Sequence, residues 1–377
     1  MRYSRGLRRF FASTIEVKLP PIDTHLLNEN LPTSTSTTPE ELIRYHKDTL
    51  LMRRMEIACD LLYKGKEILG FCHLYDGQEA VALGINEAVT FDDPLITAYR
   101  SHGVALSRGI PMWKIFAEML GVEGAATKGK GGSMHFYHRE TNFYGGSGIV
   151  GDQISVGTGL GFGLKYNKQN NCAIAMYGDG AANQGQLYES ANMASIWKLP
   201  VIYICENNNY AMGTSVERSS AGGSDFHKKI YNVPGIATSG QDIFAVRETM
   251  KFAKKFVIEN GPIAINFRTY RYHGHSMSDP GLTYRTREEV QNKRKTFDPL
   301  LITRQLILDN GVMTEADLKK LDIEVKDTVN EEIAKAKKGK KLGTDTLLED
   351  VYAPGSNIYI RAPNYEDSVF TKEKLIN

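Results

Sequence analysis

Residues 172–208 contain Cys172-Ala-Ile-Ala-Met-Tyr-Gly-Asp-Gly180, then a helical stretch to about Trp197, then Val201-Ile-Tyr-Ile-Cys-Glu-Asn-Asn208. This order predicts strand, glycine turn, helix and strand. In a right-handed β-α-β unit, the polar residues that follow the two strands fall at the same edge of the sheet, where α/β proteins bind ligands. We therefore expect the Gly-Asp-Gly turn to lie beside the Asn-Asn pair, although 26 residues separate Gly180 from Asn207.

The residue types at this edge suit a magnesium diphosphate. Asp179 offers a carboxylate, Asn208 an amide oxygen, and Tyr210 is placed to offer a backbone carbonyl. Mg²⁺ prefers six oxygen ligands and usually takes the remaining ones from phosphate and water. The flanking glycines let the backbone approach a bulky anion. Gly-Asp-Gly alone would indicate an ordinary turn, and only its coupling to Asn-Asn makes the pattern specific.

The rest of the chain predicts an α/β fold with a parallel sheet and helices on both faces. Short apolar runs at 95–98, 173–177, 201–205 and 263–267 alternate with helical patterns, as expected for such a sheet. A helix is predicted to begin at Thr38 with a capping box to Glu41, and Gly65 is placed to end it. Near the other terminus, Leu318, Leu321, Val325 and Val329 form one helical apolar face.

Composition excludes several classes of protein. The chain has 377 residues, 41% hydrophobic and 24% charged, which is typical of a globular protein and not of a disordered or fibrous one. Its 46 basic and 44 acidic residues give no reason to expect nucleic acid as a partner. No run of 18 apolar residues exists, so no membrane span is expected, and we name no membrane among the partners. The four cysteines are widely spaced, which indicates reduced and buried thiols.

The first residues are typical of a mitochondrial presequence. Four arginines and no acid precede Glu16, and helical wrapping would place Arg2, Arg5 and Arg9 side by side. The alternative is a disordered basic tail. A secretory signal fits less well because no continuous apolar segment follows. We divide the chain into a presequence and the start of an extended arm (1–25), a main domain (26–330) and a helical and extended tail (331–377). The arm, over residues 16–37, shows no periodicity.

Several segments together resemble the alpha subunits of thiamine-diphosphate-dependent 2-oxo acid dehydrogenases of the pyruvate branch. The resemblance covers essentially residues 38–355, and branched-chain relatives diverge within the same segments. It rests on Gly178-Asp-Gly-Ala-Ala-Asn-Gln-Gly-Gln186, Glu206-Asn-Asn-Asn-Tyr-Ala-Met-Gly-Thr-Ser-Val-Glu-Arg218 and Tyr270-Arg-Tyr-His-Gly-His-Ser-Met-Ser-Asp-Pro280. Further matches are Gly70-Phe-Cys-His73, Tyr75-Asp-Gly-Gln-Glu-Ala80, Ile96-Thr-Ala-Tyr-Arg-Ser-His-Gly103 and Lys128-Gly-Lys-Gly-Gly-Ser-Met-His135.

The resemblance implies roles for individual residues. The magnesium ligands would be Asp179, Asn208 and the Tyr210 carbonyl. The diphosphate and aminopyrimidine of the cofactor would be held by Tyr99, Arg100, Gly148, Val150, Asp179, Gly180, Ala181, Asn208 and His275. The family's active-site histidines correspond to His73 and His275, whose ordinary pKa suits proton transfer near neutral pH. We expect His102, His135 and His273 to have packing or supporting roles.

One required part has no place in this sequence. The enzyme class needs a glutamate against the aminopyrimidine ring, and relatives supply it from a separate beta subunit. We therefore expect a heterotetramer of two alpha and two beta chains, with the cofactor at the interface. Gly159 and Gly163, one helical turn apart, with Gly157 and Gly161 beside them, fit close helix–helix contact there. Their Gly-x-Gly-x-Gly-x-Gly spacing differs from the dinucleotide fingerprint, which disfavours a nicotinamide-binding protein.

Residues 268–287 are polar and rich in glycine, which predicts a long functional loop. By resemblance, Ser276 is an inactivating phosphorylation site and Ser215 a second regulated position. Relatives carry a third, serine, site where this chain has Thr283. A phosphate beside the substrate carboxylate would add negative charge and could disorder the loop. A regulatory kinase and phosphatase are therefore expected partners.

The function implied is thiamine-diphosphate- and Mg²⁺-dependent oxidative decarboxylation of pyruvate in the mitochondrial matrix. The acetyl group would pass to a lipoyl group on a partner acetyltransferase core. Two alternatives stay open: an alpha subunit specific for acetoin or another 2-oxo acid, and a non-catalytic regulatory paralogue. The intact Asp179, Asn208, His73 and His275 argue against the second.

Overall fold

The computed structural model describes residues 14–344, 346 and 349–351. The basic segment on which the presequence prediction depends lies outside these residues, and so does most of the predicted tail. Within them, no helix is both long and apolar enough to cross a bilayer. All four cysteines are buried and unpaired, as the sequence predicts.

The chain order alternates strands and helices through its central part. The strands are β1 (Ile15–Lys18), β2 (Asp23–His25), β3 (Ser34–Thr37), β4 (Leu95–Ala98), β5 (Phe143–Ser147), β6 (Ala173–Gly178), β7 (Val201–Asn207), β8 (Tyr210–Ala211), β9 (Thr214–Ser215), β10 (Gly235–Ser239) and β11 (Ile263–Arg268). The helices are α1 (Pro39–Lys64), α2 (Glu79–Ala88), α3 (His102–Ser107), α4 (Met112–Leu120), α5 (Asp152–Tyr166), α6 (Gly185–Ile196), α7 (Val216–Ser219), α8 (Ile243–Asn260), α9 (Arg287–Thr296), α10 (Pro299–Asp309) and α11 (Glu315–Ala336).

Seven strands form the central sheet, in the order β2-β10-β11-β7-β6-β4-β5. Six of them are parallel, and β2 pairs antiparallel with β10 at one edge. This confirms the predicted α/β fold and all four predicted strands. Strands β6 and β7 are direct neighbours, with Gly178 opposite Glu206. The Gly-Asp-Gly and Asn-Asn motifs therefore leave the sheet side by side.

Helices cover both faces of the sheet because successive side chains of a buried strand point in opposite directions. Ile174 and Ile202 face one core, which also holds buried residues of α1, α2 and α8. Ala175 and Tyr203 face the other core, which is closed by residues of α5 and α6. A ligand can therefore reach the sheet at its ends, and the carboxyl ends carry the polar motifs.

The N-terminal arm is extended, as predicted, but part of it is regular. Strand β1 pairs antiparallel with β3, and β2 adds to the edge of the central sheet. The prediction of no periodicity over residues 16–37 is wrong at its start, because β1 alternates: Ile15 and Val17 are buried and Glu16 and Lys18 are exposed. Four residues of alternation are too few to distinguish from chance in a sequence, so pairing with β3 decides the structure.

Helix α1 begins as predicted but lacks the complete capping box. Thr38 Oγ1 accepts a hydrogen bond from the Glu41 amide at 3.1 Å. The Glu41 carboxylate accepts instead from Thr37 Oγ1 at 2.6 Å and pairs with Arg247 of α8 at 3.0 Å. The tertiary partner thus replaces the local one. Helix α11 buries Leu318, Leu321, Val325 and Val329, as predicted, and extends across the boundary placed at residue 330.

Candidate active site

A cavity of about 880 Å³ opens at the carboxyl ends of β4, β6 and β7. It brings together residues from distant parts of the chain, which the parallel sheet aligns at one edge. The sequence-predicted residues on its wall are His73, Tyr99, Arg100, Gly148, Val150, Asp179, Gly180, Ala181, Asn208, Tyr210, His275, Ser276 and Thr283. Of the predicted residues, Ser215 lies outside this wall.

Asp179 has an unused oxygen in a buried position. The residue is 2% exposed, and its Oδ1 accepts a hydrogen bond from the backbone N–H of Asn208 at 3.3 Å. Its Oδ2 has no hydrogen-bond partner among the described residues. Burial raises the pKa of Asp179 to about 6 because the charged form is poorly solvated. A cation next to Oδ2 would supply the missing partner and favour the carboxylate.

Neighbouring groups hold the side chain of Asn208 in place. Its Nδ2 donates to Gln78 Oε1 at 3.1 Å, and its Oδ1 accepts from the Tyr210 amide at 3.4 Å. The glycine at position 180 is required, because a Cβ there would lie 2.7 Å from the Ala211 Cβ. The oxygen ligands of Asp179 and Asn208, together with the space left because Gly180 has no side chain, fit a hydrated divalent cation with a phosphate.

Arg100 is a buried cation without a carboxylate partner in the described part of the chain. Its Nη1 donates to the Leu74 carbonyl at 2.6 Å, and its Nη2 to the His275 carbonyl at 2.9 Å. These neutral contacts fix the guanidinium on the cavity wall but do not neutralise it. A phosphate fits this position because the planar fork of donors matches phosphate oxygens.

The two predicted histidines lie against each other and against Tyr99. The ring centroids of His73 and His275 are 5.2 Å apart, and that of Tyr99 lies 4.5 Å from His73. Burial, followed by repulsion from Arg100, lowers the pKa of His73 to about 2 and that of His275 to about 4. His73 Nδ1 is buried without a partner. Both rings are therefore neutral at pH 7 in the free protein and able to accept a proton or a hydrogen bond.

Comparison with known proteins gives this geometry a family. The dehydrogenase E1 component family matches residues 47–344. The chain belongs to this family. It is similar to the mitochondrial pyruvate dehydrogenase E1 component subunit alpha-1 of Oryza sativa subsp. japonica, with 49% identity over 92% of this chain and 88% of the relative. The Solanum tuberosum subunit alpha is 50% identical over 92% and 88%, and that of Sminthopsis macroura 46% identical over 95% and 96%.

Family membership confirms the resemblance from which the site was predicted. The dehydrogenase E1 component family depends on thiamine diphosphate, and the cavity has the two features that this ligand requires. One is a set of polar side chains on the cavity wall, including Asp179, Asn208 and Arg100, which suits a diphosphate. The other is a wall of aromatic and imidazole rings around His73.

Sequence reasoning missed Glu206 and Gln78, which also line the cavity. Glu206 is 5% exposed and accepts a hydrogen bond from Tyr75 Oη at 2.5 Å. Burial raises the pKa of Glu206 to about 7. The sequence contains a signal for Glu206, since an acidic residue at the end of an otherwise apolar strand is unfavourable unless it has a polar partner or a functional role. No sequence signal marks Gln78, whose role depends on its contact with Asn208.

The segment between β11 and α9 is irregular, as predicted, and is held by its own side chains. Asp279 accepts hydrogen bonds from the His275 amide at 2.6 Å, the Gly281 amide at 2.8 Å and Tyr284 Oη at 2.5 Å. Ser276 is 6% exposed, and its Oγ lies 2.9 Å from Ser278 Oγ. Ser276 is therefore packed into the site and would become accessible only if the loop opened.

Ser215 and the other histidines lie around the site without lining the cavity. Ser215 is the N-cap of α7, where its Oγ accepts from the Arg218 amide at 3.4 Å. His135 Nδ1 lies 3.0 Å from the Gly146 carbonyl, and His273 Nδ1 lies 2.8 Å from Asp76. His102 is fully buried. The supporting roles expected for these three histidines stay predictions.

The four glycines of α5 divide into two pairs. A Cβ at Gly157 would lie 2.6 Å from the Ala175 Cβ, and one at Gly161 would lie 2.3 Å from Val201 Cγ2. Gly157 and Gly161 therefore pack against the sheet, and their assignment to an intersubunit contact is wrong. A Cβ at Gly159 or Gly163 would meet nothing within 4 Å. Only these two remain candidates for contact with another subunit.

Proposed function

We propose that this chain is the alpha subunit of a mitochondrial pyruvate dehydrogenase, which oxidatively decarboxylates pyruvate and transfers the acetyl group to a lipoyl group of a partner acetyltransferase core. The observation that carries the proposal is a single cavity lined by Asp179 with its unpartnered oxygen, by Arg100 and by two neutral histidines. The relatives described above are named for pyruvate, which favours pyruvate over acetoin or another 2-oxo acid.

The polar side chains of the cavity wall would hold Mg²⁺ and the cofactor diphosphate. Asp179, Asn208 and the Tyr210 carbonyl supply oxygen ligands, and Arg100 supplies the positive charge for the phosphates. Tyr99, Gly148, Val150, Gly180, Ala181 and His275 complete the cofactor-binding set. When bound, thiamine diphosphate supplies the electron sink that accepts the electron pair released as CO₂ leaves.

The two histidines would transfer protons and bind the negatively charged carboxylate of the substrate. Because both rings are neutral in the free site, each can accept a proton or donate a hydrogen bond when an anionic 2-oxo acid enters. The substrate's negative charge would favour the protonated rings and so raise the pKa of both toward neutrality. His73 and His275 are thus suited to hold the carboxylate and to exchange protons at the 2-oxo group.

A beta subunit would complete the active site by supplying the glutamate that faces the aminopyrimidine. The surface formed by α5 and the end of α6 suits such a partner, because it carries exposed apolar side chains around the two open glycines. These side chains are Val156, Phe162, Tyr166, Ile196 and Trp197, between 45% and 78% exposed. Exposed apolar patches of this kind mark protein interfaces. We propose an alpha2-beta2 heterotetramer assembled in the mitochondrial matrix.

Regulation would act through the loop that carries Ser276. Phosphorylation there places negative charge beside His275 and Asp279, within the wall that binds an anionic substrate. Ser215 lies on the hairpin whose other strand carries Tyr210, a proposed magnesium ligand. A kinase and a phosphatase acting on these two serines would therefore switch activity at the cofactor site.

Release of CO₂ from carboxyl-labelled pyruvate tests the function, with thiamine diphosphate, Mg²⁺ and an artificial electron acceptor. The full chain is assayed alone and with its co-expressed beta subunit, with acetoin and branched-chain oxo acids compared by acceptor reduction. Activity only in the complex and highest on pyruvate is the expected result. Preference for another substrate would refute the pyruvate assignment, and an inactive complex that binds the cofactor would indicate a regulatory paralogue.

A further inference from the structure

Three buried polar side chains connect the interior of the protein to the backbone of His73. Glu56 of α1, His102 of α3 and Ser133 are 0%, 0% and 3% exposed. Both carboxylate oxygens of Glu56 lie 3.0 Å from His102 Nδ1, and His102 Nε2 lies 2.7 Å from Ser133 Oγ. Ser133 Oγ in turn accepts a hydrogen bond from the His73 amide at 3.3 Å.

The acid, imidazole and hydroxyl are connected in the same order as in the catalytic triad of a hydrolase, but the hydroxyl is not open to a substrate. Ser133 does not line the cavity, and its Oγ already contacts two groups of the protein. A substrate bound in the cavity would therefore not contact it. The chemistry of these three residues is therefore directed at His73 itself and not at a ligand.

His73 needs such support because its ring has few fixed contacts. Its Nδ1 has no hydrogen-bond partner, and its ring is held by packing against Phe71, Tyr99 and His275. Ring packing restricts a side chain less sharply than a directed hydrogen bond. The amide contact with Ser133 Oγ fixes the backbone from which the imidazole projects.

Burial of a carboxylate and an imidazole is unfavourable unless they are paired, so an apolar core would pack here at lower cost. The pair is also anchored to the cofactor site, since His102 follows Arg100 by two residues. We infer that Glu56, His102 and Ser133 are positioning residues that hold the imidazole of His73 in its reactive place. This inference depends on the proton-handling role proposed for His73.

A double-mutant cycle on the co-expressed complex tests the inference. Ser133→Ala removes the contact and leaves the charges of the site unchanged. We expect kcat to fall by on the order of ten- to a hundredfold, because small displacements of a reacting group have effects of this size. The KM for pyruvate and the affinity for thiamine diphosphate should change little. In a His73→Gln background, Ser133→Ala should have no further effect on kcat.

Thr303→Val is the matched control, since it removes another buried hydroxyl from an imidazole, 2.8 Å from His46 Nδ1 and outside the cavity. It should leave kcat unchanged. If His73→Gln keeps wild-type kcat, the role proposed for His73 is wrong. Two results would overturn only the positioning inference, provided that His73→Gln lowers kcat. One is a wild-type kcat for Ser133→Ala. The other is a fall in kcat in the His73→Gln background as large as the fall that Ser133→Ala causes alone.

Discussion

The imidazole rings of His73 and His275 meet edge to face, with their planes at 85° and their centroids 5.2 Å apart. The two residues are 202 positions apart in the chain, and the parallel sheet brings their loops to one edge. Neither ring is paired with a carboxylate in the described part of the protein. Their low pKa values therefore reflect burial and the nearby Arg100, which an incoming anion would offset.

Replacement of His275 should impair catalysis more than binding. We expect His275→Gln to lower kcat by about a hundredfold or more, the usual size of a lost acid–base contribution. The rise in thermal midpoint on adding Mg²⁺ and thiamine diphosphate should be smaller than in wild type but should persist, because the other cofactor-binding residues remain. Steady-state kinetics and thermal melts of the alpha–beta complex measure both effects. A variant with normal kcat would contradict the role given to His275.

Asp179→Asn should separate stability from cofactor binding. The folded state raises the pKa of Asp179 to about 6, so at pH 7.5 the free protein holds a buried carboxylate with one unpartnered oxygen. The neutral amide removes that penalty, and we expect the thermal midpoint of the cofactor-free complex to rise by a few degrees. The stabilisation by Mg²⁺ and thiamine diphosphate, about 2.7 kcal/mol at a hundredfold excess over Kd, should disappear. Cofactor-dependent stabilisation of the variant would exclude Asp179 as a metal ligand.

The sequence predicted the elements whose signals are local and the site residues that belong to recognisable motifs. The four apolar runs, the ends of β6 and β7 and the helix caps follow from neighbouring residues. The positions of β5 and β10 do not, because Phe143-Tyr-Gly-Gly-Ser147 and Gly235-Ile-Ala-Thr-Ser239 contain too few apolar residues to show a period. The place of Gly157 and Gly161 against the sheet could not be predicted for a related reason, since the spacing of the α5 glycines does not reveal which pair faces the sheet.

Buried His46 should make the protein less stable in mild acid. Burial lowers its pKa from 6.5 to about 4, so between these values the unfolded chain binds a proton that the folded state does not. The contribution of His46 to stability is therefore lost as pH falls from about 6.5 to 4. We expect His46→Gln to gain stability relative to wild type as pH is lowered from 8 to 5. Thermal melts of His46→Gln and wild type at each pH test this. Parallel curves for His46→Gln and wild type would contradict it.

Negative charge at Ser276 should abolish activity. The side chain is 6% exposed and lies on the cavity wall beside His275, so Ser276→Glu places an acid where an anionic substrate binds. We expect loss of nearly all pyruvate decarboxylation, whereas Ser276→Ala should stay active. Treatment with the cognate kinase should then inactivate wild type but not a Ser276→Ala, Ser215→Ala double variant. Continued inactivation of the double variant would exclude these two serines as the switch.

Substitution of two α5 glycines should have different effects, on folding stability at Gly157 and on assembly at Gly159. Gly157→Ala introduces a methyl group 2.6 Å from Ala175 Cβ, and overpacking of this kind costs about 1–3 kcal/mol of folding stability. Gly159 faces open space in the single chain, so Gly159→Leu should be tolerated by the subunit but should block close approach of a partner. We therefore expect Gly157→Ala to lower the thermal midpoint of a complex that still assembles. Gly159→Leu should reduce the yield of heterotetramer, measured by light scattering and native mass spectrometry. If the Gly159→Leu subunit assembles normally, the subunit interface does not lie on α5. If Gly157→Ala reduces assembly but leaves the thermal midpoint unchanged, Gly157 does not pack against the sheet.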